Sequence, residues 1–309
     1  MDFSGYARQA LTCAVPLARR HRAKISLVHV VRLPVGLRTT PDGGIVTPLD
    51  ASVQLEVART HLDNLANQLV PQPLRGRTIV REGFAATEVA AVAKRLQADL
   101  IVLSLTARSP LKRVVLGSTA ERIVRIAHCP VLAVHRTMDA SAKRLLALRP
   151  PLYPRHLPWR RILVPLDGSR TSLRALQAAV PLAKSSGARL LLLRVIAPRP
   201  LAAGLEAAAL LQPDPAPTQK SAAQLPPAAR RFIPESIRAT SLIARGAAVE
   251  VIAQTAEDQR ADLIVLSAHG PAVWNRLLRG TLAEQVLHRA RCPVFILRNR
   301  RKAHPDNLN

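Results

Sequence analysis

Aromatic side chains make up only 3% of this 309-residue chain, and its three cysteines are Cys13, Cys129 and Cys292. So few and so scattered, the cysteines provide neither a disulfide framework nor a zinc site. Scarce aromatics leave little for stacking nucleic-acid bases, and no recognition motif for nucleic acid is present. No apolar run reaches the length of a membrane span. The first residues lack a cationic stretch followed by an apolar one, so no signal peptide is read there and a cytosolic protein is expected. Carboxylates are also short: 20 Asp and Glu face 45 Lys and Arg, for a formal net charge of +25. Most of the excess is arginine spread along the whole chain, without a concentrated stripe, so the expectation is no specific nucleic-acid partner.

What is abundant is Ala, Leu and Val, in a chain long enough for about two domains. An internal repeat fixes their number. The run "ADLIVLS" stands at Ala98–Ser104 and again at Ala261–Ser267. At the same offset Gly83 matches Gly246, Gly117 matches Gly280, and Cys129-Pro130 matches Cys292-Pro293. Upstream the offset changes by two residues, pairing Asp2 with Asp167, Ser4 with Ser169 and Pro16 with Pro181. The expected boundaries are residues 1–137 for the first copy, 138–159 for a proline-rich linker, 160–299 for the second copy and 300–309 for a basic tail.

Each copy alternates short apolar runs with helical patterns. In the second, "RILVPL" reads as a buried strand, Asp167 and Ser169 supply helix-start chemistry, and "RLLLLRVI" reads as the next strand. Three more strands follow, at "SIRATSLIARG", "DLIVLS" and "PVFILR", separated by helices near 249–259 and 282–290. Strands alternating with helices imply parallel pairing with right-handed crossovers. The expected fold is α/β, two doubly wound, Rossmann-like parallel-sheet domains in tandem. A helix is expected near Ala51–Leu69, and the proline-rich insert at 197–231 is expected to be poorly ordered or partly helical. The first copy opens on "MDFSGYARQAL" with no equivalent of "RILVPL". The expectation is that its first strand lies upstream of Met1 in a longer chain, or that another segment supplies it, because its neighbours would otherwise leave backbone groups unpaired.

Ligands of such sheets bind beyond the carboxyl ends of the strands, where strand order reverses. Asp167 stands there after the first strand. The segment after "DLIVLS" runs "AHGPAVWNRLLRGTLAE", placing Ser267, Gly270, Gly280 and Thr281 in a pattern that would bring backbone N–H groups and a helix start to a phosphate. The plainer roles are turns for the glycines and caps for Asp167 and Thr281. His269 lies inside this loop and could touch a nucleotide, though no sequence partner makes it a general base. In the first copy Ser104 and Ala107 replace the two early positions while Gly117 and Ser118 remain. A methyl at 107 and the missing N–H of Pro110 make that site degenerate. Cys129 and Cys292 precede the last strands as small buried hydrophobes.

The segments "ILVPLDGS", "ADLIVLSAHG" and "GTLAEQVLHRARCPV", with their first-copy counterparts, resemble the universal stress protein family, here as a tandem of two domains. That resemblance implies a stress-response role and ATP or another adenine nucleotide as ligand, accompanied by Mg2+. On this chain it implies Asp167, a backbone contact to adenine near Val195, and Ser267, Gly270, Gly280 and Thr281 around the phosphates, in the loop where His269 also lies. It also implies pairing of the two domains through "PVLAVH" and "PVFILR", with room for further self-association or a protein partner. No catalytic constellation is visible. The alternatives are a scaffold that binds no nucleotide and a slow metal-dependent ATPase.

Overall fold

The computed structural model describes residues 3, 7–32, 38–39, 45–46, 51–105, 118–135, 153–154, 156–197, 218–220, 227–268 and 281–298. The chain divides into two compact units. The first comprises Met1–Thr106, Gly117–Cys129 and Arg136–Leu157; the second comprises Ala107–Leu116, Pro130–His135 and Pro158–Asn309.

In the first unit, helix α1 (Ala7–His21) leads into strand β1 (Ile25–Val31). A short antiparallel pair, β2 (Arg38–Thr39) and β3 (Ile45–Val46), precedes helix α2 (Ala51–Leu69), where the apolar spacing places it. Strand β4 (Arg75–Glu82), helix α3 (Ala85–Arg95), strand β5 (Ile101–Ser104) and helix α4 (Ser118–Ile126) follow. Strands β1 and β4 form a two-stranded parallel sheet. Leu11 and Val15 of α1 meet Leu62 and Leu65 of α2 over Leu27 in the core of this unit. Tyr153 of the proline-rich linker joins that core, and its hydroxyl donates to the Leu69 carbonyl at 2.7 Å. Burial pushes this phenol's pKa up to about 12.

The second unit contains strand β6 (Val131–Val134), strand β7 (Arg161–Pro165), helix α5 (Arg170–Ser186), strand β8 (Arg189–Ile196), strand β9 (Thr218–Lys220) and the short helix α6 (Pro227–Arg230). Strand β10 (Ala239–Arg245), helix α7 (Ala248–Asp258), strand β11 (Leu263–Ala268), helix α8 (Leu282–Arg289) and strand β12 (Val294–Arg298) complete it. Its strands run in the order β6–β12–β11–β7–β8–β10–β9. The five strands read from the sequence, β7, β8, β10, β11 and β12, are all parallel to their neighbours in that group. The final strands of the two copies, β6 and β12, pair antiparallel, with Phe295 opposite Leu132. Within 197–231, β9 adds an antiparallel strand against β10, and α6 supplies one helical turn.

Local chemistry explains these elements. Ser169 caps α5 by accepting the Ser172 N–H at 3.1 Å, and Gly187 ends the helix in the left-handed conformation at φ 69°. Between them Ala175, Leu176, Ala179, Leu182 and Ala183 form the buried stripe of a helix lying on a sheet. Ile162, Leu163 and Val164 of β7 are fully buried, as the central strand of a sheet covered on both faces requires. Asp262 ties the start of this strand down, accepting the N–H groups of Arg160 and Arg161 at 2.8 and 2.9 Å. Gly83 and Gly246, repeat partners, share φ +133° and donate the same hydrogen bond, to Val31 and Ile196 respectively, each at 3.1 Å. A Cβ at Gly246 would stand 2.9 Å from the Val251 side chain, so the glycine is required there.

Candidate functional site

Strand β7 pairs with β8 on one side and β11 on the other, both parallel. The chain leaves β7 towards β8 and β10, then returns to the other side for β11 and β12. Strand order therefore reverses between β7 and β11, and the crevice of a doubly wound sheet opens beyond their carboxyl ends. Adjacent strands lie about 4.8 Å apart, so groups at the ends of β8, β7 and β11 can meet one small ligand.

Asp167 stands two residues beyond β7, exposed, with its Oδ1 accepting the Ser169 N–H at 2.9 Å. Gly168, at φ +85°, makes the turn that brings this carboxylate over the strand end. Partial burial works against the charge on Asp167, but hydrogen bonds from Ser169 and Ser172 outweigh it and hold the carboxyl below its ordinary pKa. The group is an anion at neutral pH, fit to accept hydrogen bonds from hydroxyls or an amine. Val195 lies half-buried in the last turn of the β8 ladder, opposite Ala244. Ser267 lies near the end of β11, opposite Leu297 and half-buried.

Thr281 is the N-cap of α8. Its Oγ1 accepts the Glu284 N–H at 3.3 Å, while its own N–H donates to the Glu284 carboxylate at 3.0 Å. This capping box satisfies two helix-end donors reciprocally. The threonine oxygen thus acts as a cap, and its hydroxyl proton remains as a donor. His269, Gly270 and Gly280 lie outside the described residues, as do Ala107 and Gly117 of the first copy. Asp167, Val195 and Ser267 are brought to the same end of three adjacent strands, with Thr281 beginning the helix that follows β11. Ser172 and Glu284 were not singled out in the sequence. Their signals were present, as Ser-x-x-Ser after Asp-Gly and as Thr-x-x-Glu before an apolar stripe.

The remaining reactive groups do not join this site. Burial pushes the Cys13 thiol up to about 11 and the Cys292 thiol up to about 12, and raises Cys129, so none is a ready thiolate. His29 sits in β1, where its ring lies 4.0 Å from that of Phe3, a packing arrangement. Among the described residues no cluster of three or more metal-ligating side chains occurs, and no helix is long and apolar enough to cross a membrane.

Comparison with known proteins covers nearly the whole chain. The model of the universal stress protein family matches residues 1–135 and 158–298. A universal stress protein of Methanocaldococcus jannaschii is 30% identical over 137 residues, 44% of this chain and 78% of that protein. One from Mycobacterium tuberculosis is 28% identical over 204 residues, 65% of this chain and 62% of that protein. The crystal structure of a universal stress protein from Archaeoglobus fulgidus shares the fold with a TM-score of 0.66 at 19% identity, covering 97% of this chain and 94% of its own.

Proposed function

Because this chain belongs to the universal stress protein family, we propose that it is a stress-response regulatory protein whose second unit binds ATP or another adenine nucleotide. The observation that supports this reading is that an ionised Asp167, Val195 and Ser267 stand at the carboxyl ends of adjacent strands where strand order reverses. In this assignment Asp167 accepts from ribose hydroxyls, and the backbone beside Val195 meets the adenine. Ser267, His269, Gly270, Gly280 and Thr281 surround the phosphates, with Thr281 donating its hydroxyl proton. Mg2+ would arrive with the nucleotide, neutralising phosphate charge. Binding, rather than turnover, is the function assigned.

The test is the nucleotide content of gently purified protein, followed by titration with ATP and Mg2+. One adenine nucleotide per chain is expected. Two would make the first unit a working site as well. None, with no binding of added ATP, would replace this reading with a scaffold acting through protein contacts. Metal-dependent hydrolysis lost on Asp167→Ala would promote the protein to a slow ATPase.

A further inference from the structure

We propose that the first unit carries a sequence-independent binding surface for a nucleic-acid phosphate backbone, on the end of its sheet remote from the carboxyl ends of its strands. The charges assemble from separate parts of the chain. Helix α1 ends in Arg19 and Arg20, and Arg22 and Lys24 lead from it into β1; all four are exposed, with the Lys24 ammonium donating to the Pro73 carbonyl at 2.9 Å. Helix α3 ends in exposed Lys94 and Arg95 at the same end, because it packs on β1 and runs antiparallel to it. Arg77 joins them from the start of β4, where its N–H donates to the Ser26 hydroxyl at 3.1 Å and Ile25 pairs with Arg75.

Helix carboxyl ends favour cations, so some of this charge has a purely local reason. The second unit, built on the same plan, measures how much. Arg19 and Lys24 keep basic counterparts in Lys184 and Arg189, but where the first unit has Arg20 and Arg22 the second has Ser185 and Gly187, and where it has Lys94 and Arg95 the second has Glu257 and Asp258. Thr240 stands in place of Arg77. Glu257 forms an ion pair with Arg291 at 2.6 Å. In the first unit the counterparts of that pair are Lys94 and His128, so the acidic member of the ion pair is replaced by a lysine. Asp99 lies at this end, but its counterpart Asp262 is present in the second unit too and does not alter the contrast. None of the six cations at the ends of α1 and α3 has an ion-pair partner among the described residues. Arg22 is held at φ 52°, a left-handed conformation that the second unit gives to Gly187. The second unit in turn holds Arg260 in that conformation at φ 48°, where the first has Gln97 at φ 50°.

The chemistry of the patch selects its partner. Arginine dominates, and its planar fork suits phosphate oxygens. Among the described residues the exposed large hydrophobics are Val53, Val57, Phe84, Ile126, Ile196 and Leu282; none is on α1, β1 or the carboxyl end of α3, and Ile126, two residues before His128 at the end of α4, is a single such group beside the patch. A membrane-surface anchor would need such groups among the cations. The nearby phenol, Tyr153, is buried and bonded to Leu69, so among the described residues of the patch the exposed rings are the small imidazoles of His21 and His128. Phosphate contacts without base contacts give affinity without sequence preference.

The experiment is fluorescence anisotropy of the full chain with a short mixed-sequence DNA duplex across a salt series, beside sedimentation with phosphatidylserine–phosphatidylcholine vesicles. Two double variants copy the second unit: Lys94→Glu with Arg95→Asp, and Arg20→Ser with Arg22→Gly. Circular dichroism melting confirms that each is folded, and every position is exposed. The proposal expects duplex binding at about 50 mM salt that weakens steeply as salt rises. Each double variant should weaken it about tenfold or more and flatten the log–log salt slope by about 2. Absence of duplex binding at low salt would overturn the proposal. So would duplex binding unchanged in both variants, or vesicle binding alone responding to them. Nucleotide binding in the second unit is measured separately, so its failure and that of this proposal are distinguishable.

Discussion

Leu193 of β8 is fully buried, while Val28, its repeat partner in β1, is only half-buried. The same contrast runs along both strands. Four consecutive residues of β8 are buried, and in β1 only Leu27 is. Likewise Leu263, Ile264, Val265 and Leu266 of β11 are buried, and of β5 only Ile101 is. Strand β7 stands between β8 and β11; among the described residues no strand corresponds to it between β1 and β5. A parallel strand is dry only when it has neighbours on both edges and helices on both faces. Two nearly identical apolar patterns therefore end in different environments because one further strand is present or absent beside them.

The sharpest way to break this comparison is to truncate the paired positions. Leu193→Ala should destabilise the second unit by about 2.5–5 kcal/mol, the range for a large buried side chain with an unrelaxed cavity. Val28→Ala should cost the first unit only about 1 kcal/mol. Denaturant-dependent hydrogen exchange of the β8 and β1 amides reads each separately, and equal losses would show that the two strands are equally central. Next in size is ligand affinity. Asp167→Ala should weaken adenine-nucleotide binding by about tenfold or more, since a hydrogen bond to a charged group contributes about 1.5–3 kcal/mol. Ser118→Ala, in the first copy, should leave it unchanged. Calorimetric titration of both variants decides whether a single unit binds.

Smaller effects probe the helix ends. Thr281→Ala removes the capping box and should lower second-unit stability by about 1 kcal/mol, with Thr281→Ser restoring most of it. Arg22→Gly should stabilise the first unit by up to about 1 kcal/mol, by relieving the left-handed backbone that Gly187 adopts without cost. Thermal melting detects both. Least of all is the titration of Asp167. Its folded pKa is depressed, so its contribution is complete above the unfolded carboxylate value of about 3.9 and is lost as pH falls through the lower folded value. The melting-temperature difference between wild type and Asp167→Asn should accordingly shrink in that acid window. A difference that persists there would mean that Asp167 acts through shape rather than charge.

Much of the plan was legible because it rests on local rules. Short apolar runs marked β7, β8 and β11, and helical patterns marked α2, α7 and α8. Asp167 with Ser169 announced a helix start that Ser169 does cap. Other features depend on residues far apart in the chain. Tyr153 stands in a proline-rich stretch read as a linker, yet it is buried against Leu69, 84 residues away. The basic groups at the ends of α1 and α3 were read as charge spread evenly along the chain. They gather only because the fold brings both helix ends to the amino ends of the strands.

The sequence alone determined the repeat, the alternation of strands and helices, and which positions of the second copy stand at strand ends. These follow from periodicity, capping and backbone conformation, which act over a few residues. Tertiary structure decided that β7 separates β8 from β11, creating the reversal at whose carboxyl side Asp167 and Ser267 stand. It also decided that β1 remains half-exposed and that six cations of the first unit share one end. Those outcomes depend on strand pairing and long-range charge, which no local pattern encodes.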